Sequence, residues 1–250
     1  MHMRLLSRRG LLALFVRLTC AIAVCPTAEP QKAVTAHVKI QDGSSKTDKI
    51  GADVNESDAV VWLKPVDQAA PVGVGASAKR MQVVQKNKSF HPHLTVVRVG
   101  STVDFPNRDP FFHNVFSLFD GKRFDLGLYE AGATNSVRFD HVGVSYLFCN
   151  IHPEMSAVVV AVDTPYYGVS DKAGNLTIDN VPDGKYELHV WYERSVPDAL
   201  KAMTRYVTVA PDSRDLGTIT VPQDPAFTPA HKNKYGQDYA PPPKPGYVQP

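Results

Sequence analysis

Between Val34 and Val221 the chain is a succession of short runs of β-branched and aromatic residues, divided by Gly, Pro, Asn and Asp. That pattern confines it to a fold of many short strands. Candidate strands lie at 34–40, 59–65, 81–84, 94–99, 102–105, 115–118, 136–139, 144–149 and 157–162. After Pro165 they continue at 167–170, 176–178, 186–192, 206–209 and 217–221. One short helix is expected over 198–204. So many short strands with frequent turns predict an all-β protein built of sandwiches.

The two ends read differently. Arg4, Arg8 and Arg9 precede a mostly apolar stretch at 11–24, broken by Arg17 and followed by small residues at Ala21-Ile22-Ala23. Residues 1–28 read as a cleaved signal peptide, with a retained anchor as the alternative, and its apolar run is short for a membrane span. Ser7-Arg8-Arg9-Gly10-Leu11-Leu12 also resembles a twin-arginine signal, so export is expected by the general or the twin-arginine route. The expected destination is the periplasm or outside the cell, with no membrane span after cleavage. From Pro222 to Pro250 eight of 29 residues are proline and aliphatics are few, which predicts an extended or disordered, solvated tail.

Charge excludes one class of partner. Residues 1–28 hold four of the 27 Lys and Arg and none of the 25 Asp and Glu, so 23 basic residues face 25 acidic ones after cleavage, a net of −2. No basic field remains to attract nucleic acid.

Cysteine usage narrows the chemistry. Cys20 and Cys25 lie in or beside the leader, which leaves Cys149 without a disulfide partner in an oxidising compartment. By itself such a thiol reads as buried and inert. Its neighbours reverse that: Tyr146-Leu147-Phe148-Cys149-Asn150-Ile151-His152-Pro153-Glu154-Met155 carries Cys-x-x-His-x-x-Met directly after an apolar strand. A thiolate, an imidazole and a thioether form a soft ligand set that favours copper over magnesium or calcium. A copper site of that kind needs a second histidine. The best candidate is His113, 36 residues before Cys149. It follows the turn-rich Pro106-Asn107-Arg108-Asp109-Pro110, and the adjoining aromatics, Phe112 among them, are expected to keep water off the metal. His91, His93 and His141 are the rivals. His91-Pro92-His93 would form a second metal site if both rings stood on one side of a strand, and His141 belongs to a turn. Zinc would fit the thiolate and imidazoles adventitiously, but a methionine argues for copper.

These residues resemble the type 1 copper site of the cupredoxin (plastocyanin–azurin) superfamily over roughly residues 78–163. The short ligand loop, with a proline after the histidine, is most similar to the amicyanin branch, the blue copper proteins of methylamine utilisation. The resemblance implies a Greek-key β-sandwich and one type 1 copper ion, with His113, Cys149 and His152 equatorial and Met155 axial. It places Asn114, Phe112 and Pro153 beside the ligands, Asn114 by hydrogen-bonding the ligand loop. Glu154 stands where amicyanin carries an aromatic, which alters the partner surface and not the ligand set. The implied function is single-electron transfer without catalysis, with a periplasmic dehydrogenase or a c-type cytochrome as protein partners. No nucleophile–base pair and no phosphate loop is recognisable. Copper delivery or storage is the alternative, although the chain has five methionines and no Met cluster; a structural module without metal is another.

Strand, Asp-x-x-Gly turn, strand, Pro-x-Gly turn, strand over 168–188 resembles the later half of the carboxypeptidase-regulatory-like (transthyretin-like) sandwich. Residues 34–65 would supply its earlier half. The expected organisation is therefore a sandwich of 34–66 with 166–221, interrupted by a cupredoxin domain at 78–163. Strands of 34–65 pairing only with those of 78–163 would contradict it.

Overall fold

A computed structural model describes residues 32–41, 57–67, 80–118, 121–228 and 231–239. Residues 1–31, which include the expected signal peptide, and the end of the chain from residue 240 lie outside the described residues. In chain order the strands are β1 (Val34–Gln41), β2 (Val60–Pro65), β3 (Met81–Gln82), β4 (Val84–Lys86), β5 (Ser89–His91), β6 (Leu94–Arg98), β7 (Thr102–Pro106), β8 (His113–Ser117) and β9 (Phe124–Tyr129). They continue with β10 (Thr134–Arg138), β11 (Gly143–Phe148), β12 (Ser156–Val162), β13 (Tyr167–Val169), β14 (Asn175–Ile178), β15 (Gly184–Trp191), β16 (Arg205–Val209) and β17 (Asp215–Pro222). The single helix, α1 (Pro197–Ala202), sits between β15 and β16. The protein is all-β, as the turn-divided pattern predicts. No helix among the described residues is long and apolar enough to cross a membrane.

Two sheets enclose the first core. One has the order β10-β7-β3 and the other β6-β12-β11-β8-β9. Strand β3 runs parallel to β7, and β6 parallel to β12. Val103 and Phe105 of β7, Val137 of β10, Val115 of β8, Leu147 of β11 and Val159 of β12 meet between them. The β4–β5 hairpin closes one side through the turn Asn87-Lys88, both residues at positive φ (55° and 54°). The sequence pattern merges β3 with β4 and hides β5, because a turn of this hand is announced by glycine and here carries Lys88.

Four further strands form the sheet β13-β2-β15-β16, and three form β14-β1-β17. Strand β1 pairs with β14 and β17, and β2 with β13 and β15. Along β1 burial alternates strictly, with Val34, Ala36, Val38 and Ile40 inward, the signature of a strand with one face on a core.

The β6-β12-β11-β8-β9 sheet belongs to both cores. Val159 and Ala161 of β12 face the first, while Val158, Val160 and Val162 pack with β1, β2, β14, β15 and β17. Burial on both faces explains why β12 reads as an unbroken apolar run, Ala157-Val158-Val159-Val160-Ala161-Val162, rather than alternating.

Candidate metal centre

Three of the residues singled out from sequence converge at one end of the first sandwich. His113 opens β8, Cys149 follows the last residue of β11, and His152 lies in the loop that leads to β12. Their ligand atoms lie within 4.8 Å of one another. His113 Nδ1 is 3.1 Å from His152 Nδ1, and Cys149 Sγ is 3.9 Å and 3.6 Å from those two nitrogens. His113 and Cys149 are completely buried, and His152 is half-buried.

The backbone makes this loop tight. Cys149 N–H donates to Met155 O at 3.4 Å, and Met155 N–H to His152 O at 3.1 Å. Met155 is itself fully buried, in the same core cluster as Cys149. Burial pushes the Cys149 thiol above its ordinary pKa, opposed by the backbone N–H groups of Asn114, Ile151 and His152 directed at it. Burial, and next the adjacent His113, lower the pKa of His152. Both effects favour the neutral ring that a metal ligand needs.

Asp109 orients His113, and sequence reasoning did not single it out. Its carboxylate accepts from His113 Nε2 at 2.8 Å, which turns the Nδ1 edge toward the sulfur, 3.9 Å away. The same carboxylate accepts the backbone N–H groups of Asn87 (2.6 Å) and Lys88 (2.9 Å), the two left-handed residues of the hairpin turn. Burial pushes the Asp109 pKa up, but the N–H groups of Lys88, His113 and Asn87 outweigh it and hold it below the usual value. Asn107, fully buried, steadies the loop by accepting from Asp109 N–H (3.0 Å) and donating to Phe111 O (2.8 Å). The available signal was the turn-forming Asn107-Arg108-Asp109-Pro110 just before the histidine.

Asn114 follows His113 on β8. Its Nδ2 donates to Asp125 Oδ1 (2.7 Å) and Gly127 O (2.9 Å), and its Oδ1 accepts from Asn150 N–H at 3.3 Å. Phe112 does not shield the site: it is 54% exposed. The ring beside the histidines is Phe111, with centroids 5.2 Å from His113 and 5.7 Å from His152. Phe112 lies just before β8 and is turned out to solvent while its neighbour His113 is buried. Pro153 is exposed on the loop, beside the exposed Glu154.

The rival histidines are elsewhere. His91 ends β5 and β6 begins at Leu94, so the His91-Pro92-His93 pair does not share a strand. His93 is held by Ser156 O (3.1 Å) and Glu193 (2.7 Å). His141 is exposed beside Asp140.

The segment expected to be a solvated tail has no buried residue in its described part, but it touches the first sandwich. The Tyr239 hydroxyl donates to Cys149 O at 2.8 Å, and the His231 ring stacks on Phe148 with centroids 4.0 Å apart. The prolines of this segment are uneven. None occurs between Pro229 and Pro241, and that window carries His231, Lys234, Tyr235 and Tyr239.

No family model and no curated protein matches the sequence. Solved structures do. A Cu-containing nitrite reductase from Thermus scotoductus is 27% identical over 39% of this chain and 27% of its own, with a TM-score of 0.32. A purple cupredoxin from Nitrosopumilus maritimus is 23% identical over 33% of this chain and 99% of its own, with a TM-score of 0.30. A copper(I) form of an amicyanin mutant is 23% identical over 42% of this chain and 99% of its own, with a TM-score of 0.32.

Proposed function

We propose that His113, Cys149 and His152 hold one copper ion of type 1, with Met155 as axial ligand, and that the protein passes electrons singly between redox partners. The observation that carries this is the convergence of two imidazole nitrogens on a buried thiol. An ion about 2.0–2.3 Å from each of three donors in a trigonal array spaces those donors roughly 3.5–3.9 Å apart. The separations here run from 3.1 to 3.9 Å, so the residues fit such an ion with little movement. Sulfur and imidazole donors with a methionine nearby suit copper.

Bound copper supplies a single-electron Cu(I)/Cu(II) couple. The protein supplies the rest. Asp109 holds the Nε2 edge of His113 and so turns Nδ1 toward the site, and the first core keeps water from the buried His113 and Cys149. Three backbone N–H groups spread the charge of the thiolate, and the half-buried His152 is the ligand nearest solvent. Protein ligands at every position leave no place for substrate, which supports a carrier over a catalyst. Its partners would be proteins such as a periplasmic dehydrogenase or a c-type cytochrome, met after export. Flanking strands β1, β2 and β13–β17 form, on this reading, one discontinuous carboxypeptidase-regulatory-like sandwich that acts as spacer or docking surface.

The test is a titration of the purified protein with copper(II), beside Cys149→Ser. An intense visible charge-transfer band with narrow copper hyperfine splitting, both lost in Cys149→Ser, is expected. A colourless adduct with an ordinary copper EPR spectrum would refute sulfur ligation and the carrier role with it.

A further inference from the structure

The described stretch from His231 to Tyr239 touches the ligand loop and its surroundings at four points. The Tyr239 hydroxyl donates to the carbonyl of Cys149 (2.8 Å), and Lys234 N–H donates to Asn150 Oδ1 (3.0 Å). The Lys234 ammonium pairs with Asp125 Oδ2 (2.7 Å), and His231 stacks on Phe148. These contacts close a ring. Lys234 holds Asp125, Asp125 accepts from Asn114, Asn114 accepts from Asn150, and Asn150 accepts from Lys234. Asn114 adjoins His113 on β8, and Asn150 adjoins Cys149, so the ring spans two of the strand ends that bear the ligand atoms.

The stretch has its own local order. Asn233 Oδ1 accepts the N–H groups of Tyr235 (2.9 Å) and Gln237 (3.0 Å), and Gly236 N–H returns to Asn233 O (2.9 Å). Gly236 takes the positive φ (76°) that this turn requires. On its far side the stretch continues from β17, which pairs with β1, and Asp224 N–H donates to Arg194 O at 2.7 Å.

We infer that 231–239 is a strap by which the β17 end of the chain holds the Cys149–His152 loop in its ligating geometry, with Tyr239 and Lys234 as its positioning residues. The inference deepens the copper reading above and rests on it for its purpose, but the contacts exist without metal. Ligand loops set the redox behaviour of a metal through such outer contacts. A carbonyl hydrogen-bonded at Cys149 fixes the backbone from which the sulfur is presented.

The experiment uses the full chain with Tyr239→Phe, Lys234→Met and Lys234→Arg. Amide hydrogen exchange of residues 149–155 is followed without copper, and visible and EPR spectra and the reduction potential are recorded with it. Loss of one net hydrogen bond of about 1 kcal/mol predicts roughly fivefold faster exchange of the loop amides in Tyr239→Phe and Lys234→Met. Amides of β1 should stay unchanged, and Lys234→Arg should restore the parent rate. With copper bound, the same two variants should shift the charge-transfer band and the potential, and Lys234→Arg should not. Loop exchange within twofold of the parent in both variants overturns the strap. If the parent shows no type 1 spectrum while loop exchange still accelerates, the copper reading falls and the strap stands. If the parent is type 1 and neither variant changes loop exchange, the strap falls and the copper reading stands.

Discussion

Replacing Asp109 by alanine tests the control of His113 most directly. The change removes the acceptor of three N–H groups: His113 Nε2 at 2.8 Å, Asn87 N at 2.6 Å and Lys88 N at 2.9 Å. Asn87 and Lys88 are exposed, so water can take up their N–H groups at small net cost. His113 is completely buried, and an orphaned buried donor costs about 1–3 kcal/mol. The turn adds to this, since Lys88 holds a left-handed φ of 54° that disfavours an L side chain by roughly 1–2 kcal/mol and loses its anchor. Copper-free Asp109→Ala should therefore unfold in urea with a stability lower by about 2–3 kcal/mol. Metal binding should suffer as well, because loss of a partner that orients a ligating histidine typically costs about 10–100-fold in affinity.

Three measurements check this: urea unfolding, competition with a copper(I) chelator, and the nitrogen shifts of the His113 ring. In the parent, Nε2 should carry the proton and Nδ1 should be bare. Asp109→Asn should fall between parent and alanine, because its amide oxygen still accepts from His113 while its NH2 group meets the Asn87 N–H. If Asp109→Ala keeps the tautomer and binds copper within twofold of the parent, packing against Phe111 and not the carboxylate sets the ring, and the argument fails.

Two further outcomes follow from the same reasoning. The hydrogen bond to Glu193, stronger in effect than burial, raises the pKa of His93 above its ordinary 6.5. The ion pair therefore stabilises the fold fully below about pH 6.5 and fades as pH rises through the folded value; the stability gap between parent and His93→Gln, no more than about 1 kcal/mol at this partly exposed site, should shrink between pH 5.5 and pH 8.5. Gly168 adjoins β14 so closely that a Cβ would lie 2.5 Å from Thr177 O, whereas one at Gly127 would meet nothing within 4 Å and only the φ of +67° resists it. Denaturant unfolding should show a loss of about 1–3 kcal/mol for Gly168→Ala and less than about 1 kcal/mol for Gly127→Asn, since asparagine adopts the left-handed conformation readily.

What the sequence discloses here is what is local. The Cys-x-x-His-x-x-Met spacing is confined to one loop, so three of the residues picked for the site could be read from seven positions. Strand β1 shows its alternation and β12 its apolar run, because each pattern records what the two faces touch. Elements whose two-residue period is interrupted were illegible. Strand β9 escaped because it carries Asp125, a left-handed Gly127 and a register shift opposite Asn114 to Phe116, all of which erase a two-residue period. Phe111 and Phe112 were indistinguishable until the inward direction of His113 was known. Asp109 and Tyr239 act through side-chain oxygen atoms placed by tertiary structure, and no periodicity announces such a role.

The doubly buried sheet bears on how the candidate site is held. Val96, Val158, Val160 and Val162 have relative exposures of 7%, 1%, 2% and 0%, and all four pack away from the core that contains Cys149. Burial of each valine side chain contributes about 1.5–3 kcal/mol, so the four together are worth roughly 6–12 kcal/mol. That is comparable with the whole net stability of a typical domain, about 5–15 kcal/mol. A chain cut to residues 78–163 would present this apolar face to water, as well as losing the strap at Cys149 and Asn150. The flanking strands are therefore more than a spacer in energetic terms. They cover the outer face of the sheet whose inner face backs the ligand loop, and through 231–239 they reach the loop itself. Rigidity at His113, Cys149 and His152 thus depends on both cores, which is the condition that a centre exchanging electrons with little nuclear movement would need.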